Sequence, residues 1–252
     1  MTRLLLRCLL PLLMLTGSVL GPAQAAGEDQ TYAVLSFIGR HLTIVTYQPS
    51  TGSLLDRNHR TQVPIDKPVF DHAALVAIRN TIRSAEPSAR TVLLAAEDTA
   101  TRAELDGWLS GDNFKGSEQI VQALRQTKAT RLFLVTEHRG PTALQTSNAK
   151  IGEGYLDGLG YYVDRDTPLQ RSDTGETGLG FLAPYVYIKV ALVDLTSSKL
   201  MRQKVVMATT TLSAARNQGG ADPWNALSSE RKLTMLVEIV QQEAARVARE
   251  LL

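Results

Sequence analysis

The feature of this sequence that most constrains its fold is a pair of long apolar runs in the last third of the chain. From 185 to 194, every second residue from Val186 to Leu192 is a branched aliphatic. A side-chain period of two is typical of a β-strand whose two faces differ. The short polar turn DLTSSK separates this run from a second one, Leu200–Leu212. The sequence therefore predicts a long, late β-hairpin.

Upstream of this hairpin, strand and helix patterns alternate. The apolar runs TVLLAAE from 91 and RLFLVTE from 131 are typical of buried strands, and apolar residues at helical spacing predict helices over 70–85 and 117–128. Such alternation indicates an α/β fold with some parallel pairing, with α+β as the alternative. We therefore expect a single mixed-sheet domain flanked by helices.

Two further elements complete the expected fold. The β-rich runs YAVLSF and LTIVTY are separated only by IGRH, which predicts an early hairpin. Near the end, Asp222-Pro223 is a helix start signal, and an apolar stripe from Leu233 to Leu251 follows it. This pattern predicts a C-terminal amphipathic helix packed on the sheet.

Residues 1–25 have the pattern of a secretory signal peptide: two arginines, an apolar run, and the small residues of Ala23-Gln24-Ala25. We expect cleavage after Ala25 or Ala26, which leaves 26–252 as the domain. Pro11 interrupts the apolar run, which is too short to span a bilayer. Cys8 precedes that run, so it does not fit a lipid-accepting cysteine. The prediction is an exported protein, periplasmic or secreted, that is not a lipoprotein and has no integral span after cleavage.

Removal of this segment also changes the charge balance. The chain has 27 Lys+Arg and 25 Asp+Glu, and the first 25 residues hold two arginines and no acid, so 27 − 2 = 25 bases face 25 acids. A chain without net charge offers no overall field for nucleic acid. Its one cysteine, Cys8, lies in the signal, so the exported form has no disulfide and no thiolate ligand.

The stretch from 140 to 184 is rich in glycine, threonine, aspartate and proline and shows little periodicity. It predicts a long irregular insertion, and insertions of this length are often functional. Its centre, IGEGYLDGLGYYVDRD, misses the dinucleotide fingerprint because Asp157 occupies the third glycine position. Asp157-Gly158 instead predicts a type I′ hairpin. No motif indicates a cofactor.

Candidate site residues follow from this segment and from the strand before it. Tyrosine supplies contact area with a polar tip, so a protein-binding surface is predicted at Tyr155, Asp157, Gly158, Tyr161 and Tyr162. Asp164 and Asp166 begin like a calcium loop, but the position that requires glycine holds leucine. These two aspartates are therefore candidates only for a non-standard metal site.

His138 is the one candidate for catalysis. It follows the buried-type strand that ends at Glu137, and α/β proteins place sites at such strand ends. After the signal there is no G-x-S-x-G pattern, no H-E-x-x-H and no P-loop. The residues thus favour a non-enzymatic protein, with a periplasmic hydrolase or small-ligand-binding protein near His138 as the alternative.

The hairpin turn carries a family resemblance. Asp194, Thr196 or Ser197, and Leu200 fit a D-x-x-[ST]-G-x-[LIV] pattern in which Ser198 replaces the glycine. With the α/β core and the closing helix, the chain resembles periplasmic accessory modules such as the amino-terminal domain of TolB, the lipoprotein LpoB and the curli secretion lipoprotein CsgG. The resemblance implies a cell-envelope accessory protein that binds another protein or complex, here through 140–184.

Overall fold

A computed structural model describes residues 30–39, 41–49, 56–94, 104–146, 149–170, 174–213 and 222–252. The predicted signal peptide lies outside these residues. The helices are α1 Val69–Ala85, α2 Leu105–Trp108, α3 Glu118–Thr127 and α4 Ser229–Leu251. No helix in this part of the chain is long and apolar enough to cross a membrane.

Fifteen strands lie in the described ranges. They are β1 Thr31–Phe37, β2 His41–Thr46, β3 His59–Pro64, β4 Arg90–Leu94, β5 Leu109–Ser110, β6 Asn113–Phe114, β7 Arg131–Glu137, β8 Arg139–Pro141, β9 Leu144–Gln145, β10 Lys150–Ile151, β11 Tyr155–Asp157, β12 Leu159–Gln170, β13 Thr177–Asp194, β14 Lys199–Thr209 and β15 Leu212–Ser213. The predicted helices α1 and α3 and the predicted strands β4 and β7 are confirmed.

Strand β13 is the central strand of one mixed sheet. Along one edge it pairs antiparallel first with β12 and then with β7, and along the other edge it pairs with β14 and β15. Beyond β7 lie β1 and β4, both parallel, and beyond β12 lie β2 and β3. The sheet therefore divides into two arms. At the division, the Tyr187 N–H donates to the Gly158 carbonyl at 2.7 Å, and the Tyr187 carbonyl accepts from the His138 N–H at 3.0 Å.

The long hairpin of β13 and β14 is confirmed, with register from Tyr185↔Thr209 to Asp194↔Lys199. The early hairpin is wrong, because β1 and β2 lie in different arms. Strand β1 is buried along nearly its whole length and takes parallel partners on both edges. Gly39, at a φ of +129°, lies where the chain crosses to the other arm.

Helices α1 and α4 cover one face of the sheet, and the largest apolar cluster lies beneath them. The predicted C-terminal helix is confirmed, but it begins at Ser229 rather than at Pro223. Asp222 instead caps a short 3₁₀ turn, Pro223–Ala226, by accepting from the Trp224 N–H at 2.9 Å. Ser228 caps α4 through the Arg231 N–H at 3.2 Å.

The opposite face carries two separate apolar clusters. One lies under α2 and α3 and includes Trp108 and Phe114. The other lies against the first half of β13 and includes Leu144, Leu156 and Tyr187.

The prediction of an irregular insertion over 140–184 is wrong, because β12 and most of the first half of β13 lie within it. Glycine and proline have a low intrinsic β propensity, so this stretch of sequence shows only a weak strand pattern. Pairing along both edges of β13 outweighs that low propensity. In the described part of the chain, the ladders outside the main sheet are formed only by the short strands β8, β9, β10 and β11, between 139 and 157. The α/β class and the mixed sheet flanked by helices are confirmed.

Candidate functional site

The described residues between 138 and 158 fold over the sheet as a compact layer, which we call the cap. Its two ladders pair β8 with β11 and β9 with β10. Leu144 and Leu156 are fully buried against the sheet. A small apolar cluster, shared with sheet residues such as Tyr187, therefore lies between the cap and the sheet.

Buried tyrosines of the main sheet fasten the cap through its backbone. The Tyr187 hydroxyl donates to the Pro141 carbonyl at 3.0 Å and accepts from the Ala143 N–H at 3.2 Å. The Tyr162 hydroxyl accepts from the Glu153 N–H at 3.4 Å. Each of these hydrogen bonds joins a buried tyrosine of the sheet to the backbone of the cap. The cap is therefore fixed to the sheet.

The predicted type I′ hairpin at Asp157-Gly158 is wrong. The strand before the turn pairs with β8 and the strand after it pairs with β2 and β13, so the two do not pair with each other. Gly158 does take a positive φ of +60°, and a Cβ there would lie 3.0 Å from the Glu137 carboxyl carbon. The turn joins the cap to the sheet, and Gly158 is buried in it.

Tyr161 and Tyr162 are fully buried, which corrects their assignment to a binding surface. Consecutive strand residues point to opposite faces. Tyr161 points towards α4 and donates to the Lys232 carbonyl at 2.7 Å, whereas Tyr162 stacks on Phe181 with ring centroids 6.0 Å apart. Burial raises the pKa of both phenols. Both rings are core residues and cannot contact a partner directly.

Asp164 stabilises a bulge in β12. Its Oδ1 accepts from the backbone N–H groups of Asp166 and Thr167, both at 2.8 Å, and its Oδ2 accepts from the Thr167 hydroxyl at 2.7 Å. Asp164 is buried, whereas Asp166 is exposed. Within the described ranges, no three histidine, cysteine or acidic side chains group as metal ligands would. The structure thus gives Asp164 a backbone role that its spacing did not predict.

Tyr155 is the exposed aromatic residue of the cap. Its side chain is 48% exposed, and it is the only large aromatic in the exposed class among the residues that the structure describes. The Arg139 guanidinium carbon lies 5.3 Å from the centroid of the Tyr155 ring, within cation–π range. Arg139 also lies opposite Asp157 in the ladder, and both are exposed. We call Tyr155, Arg139 and Asp157 the Tyr155 surface.

The backbone of Tyr155 is held from the side of β3. Its N–H donates to the Asp56 carboxylate at 3.0 Å, and its carbonyl accepts from Arg60 at 2.8 Å. Arg60 and Asp56 also form an ion pair. Burial opposes ionisation of Asp56, but the Arg60 guanidinium and the N–H groups of Tyr155 and Asn58 outweigh it, so the pKa of Asp56 is lowered. The backbone that carries the exposed Tyr155 ring is therefore held in place by Asp56 and Arg60.

His138 and Asp157 lie close together, as the alternative function requires. His138 is half-buried beside Gly140. Burial and the nearby Lys189 ammonium lower the pKa of His138, and Asp157 opposes this shift. One cavity of about 140 Å³ lies between α3 and the β13–β14 turn, and another of about 400 Å³ lies between α1 and α4; His138 lines neither of them.

The sequence pattern indicated Tyr155, Asp157 and His138, and the fold brings these three residues to one region. It did not indicate Arg139, Asp56 or Arg60. The contacts of Asp56 and Arg60 with Tyr155 span 99 and 95 positions of the chain, so no local pattern reveals them. Arg139 could have been found only from the ladder register of β8 and β11.

No protein-family model matches this chain, and no curated protein matches it. Among solved structures, it is similar to the PelC dodecamer from Paraburkholderia phytofirmans, at 10% identity, a TM-score of 0.32, and coverage of 88% of this chain and 87% of that one. It is also similar to a neuraminyllactose-binding hemagglutinin homolog from Helicobacter pylori, at 8% identity, a TM-score of 0.39 and 92% of each chain. A DUF330 protein from Xanthomonas campestris aligns at 8% identity and a TM-score of 0.35, over 92% of this chain and 85% of its own. The resemblance to the TolB, LpoB and CsgG modules stays a prediction.

Proposed function

We propose that this protein is an exported, non-enzymatic accessory protein of the bacterial cell envelope that binds another protein through the Tyr155 surface. The observation that carries the proposal is an exposed tyrosine with an arginine stacked on it, displayed on a rigid ladder. Tyrosine and arginine are enriched among the residues that dominate binding energy in protein interfaces. The signal-like first 25 residues support export.

The rigidity of this surface favours binding. Association costs free energy when flexible side chains and loops become ordered. Here Asp56 and Arg60 fix the backbone of Tyr155 on one side, and Tyr187 fixes the cap on the other. Arg139 already restricts the ring before a partner arrives. Little further ordering is needed when the partner binds.

The charges of the surface would give selectivity. Arg139 and Asp157 stand opposite each other on exposed positions of the ladder, beside the apolar ring. A partner therefore has to match one positive group, one negative group and one aromatic face, and such complementarity rejects surfaces with the wrong charge pattern.

The test is to replace Tyr155 by alanine and to measure how much partner protein co-purifies with the tagged protein from the envelope of its native host. Loss of an interface tyrosine costs on the order of 2 kcal/mol, so we expect roughly a thirtyfold loss of affinity. Tyr155→Phe, which keeps the ring, should retain most of the binding. The matched control is Leu179→Ala, because Leu179 is 65% exposed and lies outside the cap. Equal recovery with Tyr155→Ala and Leu179→Ala would refute the proposal.

The second candidate is a hydrolase or small-ligand site at His138. It is favoured by the nearness of Asp157, whose charge acts on the imidazole. A histidine that served as general base or ligand could not be replaced without loss of function. If the protein-binding proposal holds, His138→Ala retains the phenotype of the intact gene. Loss of the phenotype with unchanged partner binding would favour the second candidate.

A further inference from the structure

Strand β14 has an edge that the described residues leave open. Its inner edge pairs with β13 along its length, whereas its outer edge pairs with β6 only at Lys199↔Asn113. At the other end, the Thr209 hydroxyl accepts from the Gln145 N–H of the cap at 2.9 Å. The eight residues Met201–Ala208 have no strand partner on the outer side within the described part of the chain. They span roughly 27 Å at the rise of an antiparallel strand.

The backbone groups that this edge presents follow from the pairing pattern. Tyr187 uses its N–H and carbonyl on the opposite edge of β13, towards Gly158 and His138. Backbone groups alternate in direction along a strand, so Ile188 bonds towards β14, and its partner Val206 bonds back. It follows that Val205 and Met207 direct their N–H and carbonyl groups outwards.

The side chains at these two positions are also exposed. Val205 is 41% and Met207 is 44% exposed, and both lie on the sheet face away from α4, whereas Val206 is buried against α4. Edge strands are often protected by charged side chains. In β14 the charges of Arg202 and Lys204 are turned to the helix side, where Arg202 donates to the Leu251 carbonyl at 3.3 Å and Lys204 pairs with Glu250. The exposed face of the edge, from Gln203 to Met207, therefore carries no charge and presents the apolar side chains of Val205 and Met207.

A positive charge lies next to this apolar edge. Lys189 stands between Thr136 and Val205 in one cross-strand row, and it is half-buried. None of the carboxylates in the described ranges forms an ion pair with Lys189. A carboxylate brought in on a strand beside β14 could reach over Val205, because two strand spacings of about 4.8 Å each are within the combined reach of lysine and glutamate side chains. As far as the described residues show, the edge thus offers backbone groups without a strand partner, apolar contact at Val205 and Met207, and the positive charge of Lys189.

We propose that an extended segment of a partner protein, carrying an acidic side chain, adds to the edge of β14 as a further strand of the sheet. Its backbone pairs with Val205 and Met207, its apolar side chains contact theirs, and its carboxylate lies against Lys189. Strand addition of this kind takes affinity from main-chain hydrogen bonds and specificity from side chains. The proposal is independent of the Tyr155 surface, because no contact of Tyr155 enters it.

The test uses synthetic peptides as long as the open stretch, in which valine and threonine alternate around one central glutamate. We expect this peptide to bind the purified protein with a Kd below about 1 mM. A matched peptide with glutamine in place of glutamate should bind roughly threefold to tenfold more weakly. A version methylated on alternate backbone nitrogens should not bind. Amide hydrogen exchange should slow at Val205 and Met207, whereas Val206 should be protected before the peptide is added.

Two variants separate this proposal from the previous one. Lys189→Met should abolish the preference for glutamate over glutamine, and Tyr155→Ala should leave peptide binding unchanged. Absence of binding, equal affinity of the two peptides for the unmodified protein, or binding without added protection at Val205 and Met207 would each overturn strand addition. Concentration-dependent protection of Val205 and Met207 without any peptide would overturn it too, since a second copy of this chain would then occupy the edge.

Discussion

Removal of one hydroxyl, in Tyr187→Phe, tests how the cap is held to the sheet. The ring of Tyr187 is fully buried and contacts Tyr185 edge-on at 5.7 Å between centroids. Phenylalanine fills the same space, so the substitution leaves no apolar cavity. What it removes are the two hydrogen bonds to the Pro141 carbonyl and the Ala143 N–H.

The expected loss of stability follows from these two bonds. A hydrogen bond of a neutral buried group contributes about 1 kcal/mol net. Pro141 is exposed and Ala143 is half-buried, so water can replace part of what is lost. We therefore expect a loss of about 1 kcal/mol in the free energy of unfolding, which lowers Tm by roughly 2–4 °C for a chain of this size.

The decisive assay is hydrogen exchange at the Ala143 amide, measured beside thermal unfolding. Because Tyr187 is the acceptor of that N–H, exchange at Ala143 should quicken by about fivefold in Tyr187→Phe. The matched control is Tyr161→Phe, which loses one buried hydrogen bond, to the Lys232 carbonyl, outside the cap. It should lower Tm without changing exchange at Ala143. Unchanged exchange at Ala143 in both variants would refute the argument that Tyr187 fastens the cap.

Two further predictions concern the contact between β2 and β12 and the Asp56 carboxylate that binds the backbone of Tyr155. Gly160→Ala should lower the free energy of unfolding by several kcal/mol and so lower the urea midpoint, because its Cβ would lie 1.8 Å from the Thr43 carbonyl oxygen. Gly107→Ala, with no atom within 4 Å of the added Cβ, should change the midpoint little. Equal midpoints for the two variants would contradict the close approach of β2 and β12. The Asp56 carboxylate, paired with Arg60, has a pKa below its ordinary 3.8, so its contribution is present above about pH 4 and is lost as pH falls through the lowered pKa. Urea midpoints at pH 6 and pH 3 should therefore differ less for Asp56→Asn than for the unmodified protein, and an equal difference would show that Asp56 does not contribute.

The sequence predicted elements whose signals are local. Alternation and a short polar turn were sufficient for the hairpin of β13 and β14, and apolar spacing was sufficient for α1 and α3. Strands β1 and β2 were recognised as strands but paired wrongly. The partners of β1 are β4 and β7, which lie about 60 and 100 positions away, and no local pattern carries that information.

The candidate site was predicted in part for a similar reason. Glycine and tyrosine composition pointed to Tyr155 correctly as an exposed residue, but it pointed equally to Tyr161 and Tyr162. Tyr161 and Tyr162 are adjacent in β12 and point to opposite faces of the sheet. One of the two would be exposed if one face of the sheet were in contact with solvent. Here α4 covers Tyr161 and the cap covers Tyr162, and two covered faces bury both. Only the tertiary layers distinguish the three tyrosines.

The most direct measurement of the central claim is site-specific photo-crosslinking in the native envelope, with a photoreactive phenylalanine analogue at position 155 and, separately, at 179. If the Tyr155 surface binds a partner protein, position 155 gives one adduct of defined mass, and Arg139→Ala weakens that adduct. Position 179, which is more exposed but lies outside the cap, gives none. The absence of an adduct at 155, or the same adducts at both positions, would contradict the account.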